Sequence, residues 1–463
     1  MSLTAAAPES RLCLVMRRAK FLVSLSLLVL TLLAAHAQES QSLSSSQTAP
    51  ANPSMPTASI RSGTSHITGY TLPPDLYRKA VNLGKIRFRL ALLGFPYSLV
   101  VLWLVLRWKF GPKYRDWAEA FSGRRFLQSV VFAPLLLVTT AVLTLPLDIY
   151  GESVEKQYGI SIQSWSSWSW DWIKAELIFL VISTFLVWLL YAVIRRSPRR
   201  WWFYFWLISL PIGLCLVFLQ PWVIDPLFHQ FEPLQQKDPA LVAALEQMVH
   251  RSGQDIPPER MFWMQASDKT VAINAYVAGV GASKRIVIWD TTINKMNTPQ
   301  IVYVVGHEMG HYVLHHIPKG LSLGALMLLV LFYVGYRLVG WVLGRWGPGW
   351  KIRALDDWAS LPVLLLLITI LFFAAMPAFM ALSRHLEHQA DQYGLEITHG
   401  LTPDSGQVAA QSFEILGESA LSNPEPNPVD VFLFFTHPSI PDRIHFCLTY
   451  DPWANGRQGE FVK

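Results

Sequence analysis

Six apolar runs dominate this chain, at residues 90–106, 126–147, 177–194, 201–224, 321–344 and 358–383, and only one of them holds a charge, Arg337. Each is roughly 17–26 residues, the length a helix needs to cross the hydrocarbon of a bilayer. One such run would suit a buried helix in a water-soluble protein; six do not. Trp and Tyr at several run ends suit anchoring at the membrane–water interface. The 52% apolar and 15% charged fractions point the same way. The expected architecture is a mostly α, polytopic membrane helical bundle. Arg337 either faces the bundle interior or snorkels to an interface.

The N-terminus reads differently. Arg17, Arg18 and Lys20 precede an uncharged run over 21–35, and Ala35-His36-Ala37 offers a small-x-small cleavage site. Residues 1–37 are therefore a signal peptide or a first membrane helix. Residues 38–66 are rich in Ser, Pro, Thr and Ala and read as a disordered linker. The three cysteines, Cys13, Cys215 and Cys447, lie far apart in unlike contexts, so neither a disulfide framework nor a Cys-rich metal site is expected.

Between the runs lie two polar stretches, 225–319 and 384–463. In the first, 239–251 reads as an amphipathic helix. The β-branched-rich segments 270–279 and 283–291, separated by Gly279 and Gly281, suggest a hairpin. Thr298-Pro299 would then cap and open a helix that stops near Pro318. That helix carries His307-Glu308-Met309-Gly310-His311, an H-E-x-x-H. Residues four apart share a helical face, so His307 and His311 can bind one metal ion together. Glu308 beside them is placed to deprotonate a metal-bound water.

A catalytic zinc needs a third protein ligand and one open position. The extended H-E-x-x-H-x-x-G-x-x-H pattern fails, since Leu314 and Ile317 stand at its Gly and His places. His315 and His316 read as solvated or interfacial histidines. Ser383-Arg384-His385-Leu386-Glu387-His388-Gln389-Ala390-Asp391, after the last run, offers a better donor. Glu387 and Asp391 share a face. Glu387 could complete a His-His-Glu site while Asp391 hydrogen-bonds a ligating imidazole from behind. By spacing alone His385 and His388 compete with Glu387.

These motifs together resemble the integral-membrane zinc metalloproteases of the CAAX prenyl protease type I family. Asn274-Ala275-Tyr276 upstream, and Thr436-His437-Pro438 followed by Asp442-Arg443-Ile444 downstream, match further family motifs in order. The similarity runs from about residue 70 to the C-terminus. It implies a gluzincin-type zinc metalloprotease domain with a small β-sheet, intimately joined to the membrane bundle. It implies one Zn²⁺ per chain, held by His307, His311 and Glu387, with Glu308 as general base. It further implies that Asn274, Ala275 and Tyr276 form an edge strand binding an extended substrate and that His437 stabilises the oxyanion. Arg443 matches the arginine of the motif, supporting the ligand shell beside Asp391, with a structural ion pair to Asp391 or near Glu387 as the plain reading. The division expected is a membrane domain of four spans over 67–224, metalloprotease parts at 225–319 and 384–463, and two further spans over 320–383.

Orientation follows from short-loop Lys and Arg. Loops 107–125, 195–200 and 345–357 are basic and fall on one side if every run spans; loop 148–172 and both protease parts fall on the other. This places the protease domain outside the cytoplasm, as suits a bacterial inner membrane. Arg78, Lys79, Lys85, Arg87 and Arg89 dissent. The net charge of +6 reads as a topology signal rather than a nucleic-acid footprint, so the expected partners are the lipid bilayer and a peptide or protein substrate, lipidated or membrane-derived, and no nucleic acid. Eukaryotic members face the cytosol, so prenyl specificity does not carry over with the chemistry, and a general quality-control endopeptidase is the alternative. Two other classes compete. A site-2-type intramembrane protease would need an Asp ligand in a Leu-Asp-Gly motif, for which Leu355-Asp356-Asp357 is the nearest match. A non-enzymatic membrane protein with a structural zinc would have no use for Glu308.

Overall fold

The computed structural model describes residues 66–279 and 283–463. The signal-peptide or first-helix segment, and all of the expected linker except its last residue, lie outside the described residues. Twelve helices are labelled in order: α1 Pro74–Arg107, α2 Phe110–Phe121, α3 Arg125–Gln157, α4 Trp165–Arg196, α5 Trp201–Leu219, α6 Pro239–Arg251, α7 Thr298–Val313, α8 His316–Trp346, α9 Leu361–Thr398, α10 Ser405–Ser419, α11 Pro428–Phe434 and α12 Ile440–Thr449. Four short strands, β1 Phe231–Pro233, β2 Met261–Met264, β3 Ala275–Ala278 and β4 Arg285–Trp289, form one sheet in the order β1-β2-β4-β3.

Five of the six apolar runs fall in helices long and apolar enough to cross a membrane, namely α1, α3, α4, α8 and α9. The sixth forms α5, 19 residues long, continued by a π-helical turn at Gln220–Ile224. Their buried faces share one apolar core that includes Leu136, Leu190, Phe205, Phe332 and Leu364. Large apolar side chains such as Val142, Leu177, Val181 and Leu326 point outward, as lipid-facing residues do. Arg337 lies on the exposed face of α8, where its guanidinium donates to the Tyr333 hydroxyl at 3.1 Å. It does not face the bundle interior.

The three basic loops meet at one end of the bundle. The first contains the amphipathic helix α2, whose Arg115 pairs with Asp357 at 2.7 Å. Arg353 pairs with Glu119 at 2.9 Å, and Arg195 donates to the Asp356 carbonyl at 3.0 Å. Asp357 is therefore already engaged at the start of α9. Glu387 lies about 40 Å along the same helix at 1.5 Å per residue, so Leu355-Asp356-Asp357 cannot serve this metal site. Among the dissenting basic residues, Arg87 is buried against Glu155, with Nη2 to Oε2 at 2.7 Å.

A second apolar core, with Leu245, Ile288, Val305, Phe413 and Ile444, binds α6, α7, α10 and α12 to the sheet. The expected hairpin is β3 antiparallel to β4, pairing Tyr276 with Val287. The two cores are joined by α9, whose 38 residues run unbroken from the apolar span into the segment bearing Glu387 and Asp391. Residues 383 and 384, where the sequence changes from apolar to polar, sit inside this helix. The third-ligand segment is thus held rigidly to the membrane bundle.

Candidate active site

Helix α7 starts one residue earlier than its sequence suggests. Asn297 caps it: its side chain accepts from the Gln300 N–H at 3.1 Å, and Gln300 Oε1 accepts from the Asn297 N–H at 2.9 Å. Thr298 and Pro299 then occupy the first turn. The helix also ends sooner. It breaks at Leu314 and His315, where His315 takes a left-handed backbone, φ 58° and ψ 35°. Pro318 falls in the first turn of α8, where its missing N–H costs nothing.

Helices α7 and α9 pack closely because glycines line their contact. A Cβ on Gly394 would stand 3.2 Å from the His307 backbone nitrogen and 3.0 Å from the Tyr303 ring. This approach brings the acid-bearing turn of α9 onto the two histidines. His307 Nε2 lies 3.2 Å from Glu387 Oε2 and 3.3 Å from His311 Nε2, and His311 Nε2 lies 3.7 Å from Glu387 Oε1. All three side chains are buried. Their donor atoms lie within 4.8 Å of one another, a group able to hold a metal ion. Two imidazoles and a carboxylate on zinc at bond lengths near 2.1 Å would stand about 3.4 Å apart in a tetrahedral site. The observed spacings fit that shape, and three protein donors leave a fourth position open.

Behind this cluster, Asp391 Oδ1 lies 2.8 Å from His307 Nδ1. Arg443 of α12 grips the same carboxylate, Nε to Oδ2 at 2.9 Å and Nη2 to Oδ1 at 2.5 Å, with its guanidinium over the Phe413 ring. Burial disfavours a His307 cation, but the hydrogen bonds to Asp391 and Glu387 outweigh it and raise the pKa to about 9. His311, where burial dominates, is held well below the usual histidine value. A metal ion at these nitrogens therefore competes with a proton mainly at His307.

His437 reaches the cluster from the segment between α11 and α12. Its Nε2 stands 3.2 Å from Glu387 Oε2, and Thr436 Oγ1 holds its Nδ1 at 2.8 Å. Arg384 fixes this segment by donating to the carbonyls of Val431 and Phe435, both at 2.8 Å. Glu308 is buried on α7 beside the ligand pair, and its charge, after burial, helps push the Tyr312 hydroxyl pKa upward.

Strand β3 is the sheet's edge. The Trp289 N–H donates to the Asn274 carbonyl at 3.0 Å. In an antiparallel ladder the residues facing the partner alternate, so Ala275 and Val277 direct their main-chain groups away from β4, toward the open edge. The Tyr312 hydroxyl, one residue past His311, donates to the carbonyls of Val277 at 3.1 Å and Gly279 at 3.0 Å. Asn274 is buried, and neither amide atom of its side chain meets a hydrogen-bond partner among the described residues.

The structure gathers His307, His311, Glu387 and His437 in one cluster, backed at His307 by Asp391 and Arg443, with Glu308 buried next to His307 on α7. His385 and His388 lie outside the cluster: His388 packs its ring against Phe446. One expectation is overturned. His316 is fully buried, with Nδ1 3.0 Å from His311 Nδ1 and Nε2 3.1 Å from Gln389 Oε1. Sequence missed it because a continuous helix would turn a residue five positions on about 140° away from His311. The left-handed residue at His315 swings it back.

The comparisons with known proteins agree with this geometry. The description "Peptidase family M48" matches residues 235–450, and "CAAX prenyl protease N-terminal, five membrane helices" matches residues 66–230. The "Uncharacterized metalloprotease YhfN" of Bacillus subtilis (strain 168) is 37% identical over 374 residues, 81% of this chain and 85% of that protein. The "CAAX prenyl protease 1" of Saccharomyces cerevisiae is 23% identical over 80% of this chain and 85% of its own. In fold, the crystal structure of S. mikatae Ste24p superposes with a TM-score of 0.69 at 22% identity, covering 82% of this chain and 90% of that one. Fold, site and relatives define a multi-pass integral-membrane metalloendopeptidase. The chain belongs to peptidase family M48.

Proposed function

We propose that this protein is a zinc endopeptidase that draws an extended polypeptide across strand β3 and cuts it beside Glu308. The observation that carries the reading is the buried His307–His311–Glu387 triplet, with donor atoms spaced for a tetrahedral ion. When bound, zinc supplies the Lewis acid that polarises the scissile carbonyl and brings the pKa of a water toward neutrality. Glu308 takes the proton of the attacking water and delivers it to the leaving amine. His437, steadied by Thr436, donates from Nε2 to the developing oxyanion. Main-chain groups of Ala275 extend the sheet by one substrate strand. The buried Asn274 amide, costly to leave unsatisfied, binds the substrate main chain at the strand's start.

We place the protease parts, 225–319 and 384–463, outside the cytoplasm of a bacterial inner membrane. The contact of all three basic loops at one end of the bundle supports this orientation. The engagement of Arg87 by Glu155 removes one dissenting charge. On that side the substrate is a membrane-derived or unfolded segment rather than a prenylated cytosolic terminus. The test is cleavage of one reporter peptide, farnesylated and unmodified, by purified protein, with Glu308→Gln as the blank. Equal cutting of both forms is expected, with the variant losing at least 100-fold while keeping its metal. Cutting that requires the lipid would instead assign prenyl-protein specificity and reverse the orientation. No cutting above the blank would overturn the peptidase reading.

A further inference from the structure

We infer that His316 is a positioning residue that fixes the tautomer and ring angle of His311, completing on the second histidine what Asp391 does for the first. The inference rests on the reading of His311 as a metal ligand through Nε2, the atom facing His307 and Glu387. A ligating imidazole nitrogen carries no proton, so neutral His311 bears its proton on Nδ1. That nitrogen lies 3.0 Å from His316 Nδ1, which must then accept, leaving the His316 proton on Nε2. Nε2 lies 3.1 Å from Gln389 Oε1, an acceptor. Each proton has one place, and the chain closes at Gln389, two residues from Glu387 on the same helix.

The arrangement crosses three helices. His311 ends α7, His316 opens α8 and Gln389 stands on α9. The left-handed His315 is what allows it, and a bulky residue at positive φ persists only where its surroundings hold it. A neutral imidazole behind His311 suits the charge balance. His307, backed by Asp391, sits in an anionic setting, and a second carboxylate would add a further buried charge to pair. The imidazole orients the ring without one.

Zinc affinity of the purified full-length protein, measured by competition with a chromophoric chelator, tests this. His311→Ala should lose stoichiometric zinc; if it binds as wild type does, the ligand reading beneath the inference fails, whatever His316 does. His316→Leu should weaken zinc about 10- to 100-fold. It should also shift the visible bands of the cobalt-substituted protein at saturating metal. His316→Asn, whose Oδ1 takes the place of Nδ1 as acceptor, should recover most of the affinity and the wild-type spectrum. Gln389→Leu, which removes the acceptor for the His316 Nε2 proton while keeping the His316 ring in place, should shift both in the same direction by less. Wild-type affinity and spectrum in His316→Leu would overturn the inference. So would equal losses in the Leu and Asn variants, which would mark mere filling of space. If His316→Leu fails to fold, the Gln389→Leu measurement decides: a wild-type result there overturns it.

Discussion

Asp391 Oδ1 stands 2.8 Å from His307 Nδ1, on the side of the imidazole turned away from Glu387. The carboxylate both accepts the Nδ1 proton and leaves Nε2 free to face the metal position. Arg443 supplies the counter-charge that lets Asp391 remain ionised while fully buried. Asp391→Asn should therefore lower zinc affinity by about 10- to 100-fold and also destabilise the fold, since it leaves the buried Arg443 cation unpaired. Arg443→Met should likewise destabilise by about 3–5 kcal/mol, because it strands the Asp391 charge, but with a smaller loss of zinc affinity, since Asp391 keeps its contact with His307. The double variant should regain stability yet keep the zinc defect. Thermal melting and chelator competition on the three variants separate the two roles; parallel losses would merge them.

The backbone at His315 predicts an inverted substitution pattern. Glycine enters the left-handed region without penalty, whereas a β-branched residue meets its steepest cost there. His315→Gly should melt at or above the wild-type temperature, and His315→Val should melt several degrees lower. Loss of stability in the glycine variant would mean the His315 side chain itself carries the turn.

Much of this was legible in sequence because it is written in local periodicity. Span lengths, the four-residue spacing of His307 and His311, and the matching pair Glu387 and Asp391 depend only on helical geometry. Their convergence does not. That α7 and α9 cross with Gly394 at the contact, and so bring Glu387 to 3.2 Å from His307, is a tertiary fact. His316 was hidden for a sharper reason. Its role needs a helix break at a non-glycine residue that no turn signal marks, and a helix-period reading carries it away from His311. Arg384 was visible within its motif, but the carbonyls it binds lie 47 and 51 residues on.

The same crossing makes Gly394 a test of how precisely the triplet is held. An added methyl would press on the His307 backbone nitrogen, which cannot rotate aside as a flexible side chain would. The helices must part by a few tenths of an ångström, and Glu387 moves with α9. Gly394→Ala should cut turnover measurably, though by less than the roughly 100-fold that a misplacement of about 1 Å costs. Gly324→Ala on α8, where nothing lies within 4 Å, should leave it unchanged. Equal turnover in both variants would show that α9 can shift without disturbing the metal position.

Lys269 lies in the segment leading to Asn274, buried with Nζ 2.8 Å from the Phe228 carbonyl and 3.4 Å from Asp171. Burial lowers its pKa from 10.5 to about 7, against the pull of Asp171 and Asp268, with Lys174 adding a smaller push downward. The folded protein thus binds this proton less readily than the unfolded chain. Between pH 7 and 10.5 the unfolded state holds more protons, so stability from this group rises with pH across that window. The cost of burying the cation is fully present below the lower limit and fades toward the upper one. The melting temperature of the wild type in detergent should accordingly climb more steeply over this range than that of Lys269→Met. Parallel slopes for the two proteins would show that Lys269 keeps an ordinary pKa and that the segment before Asn274 is held by other contacts.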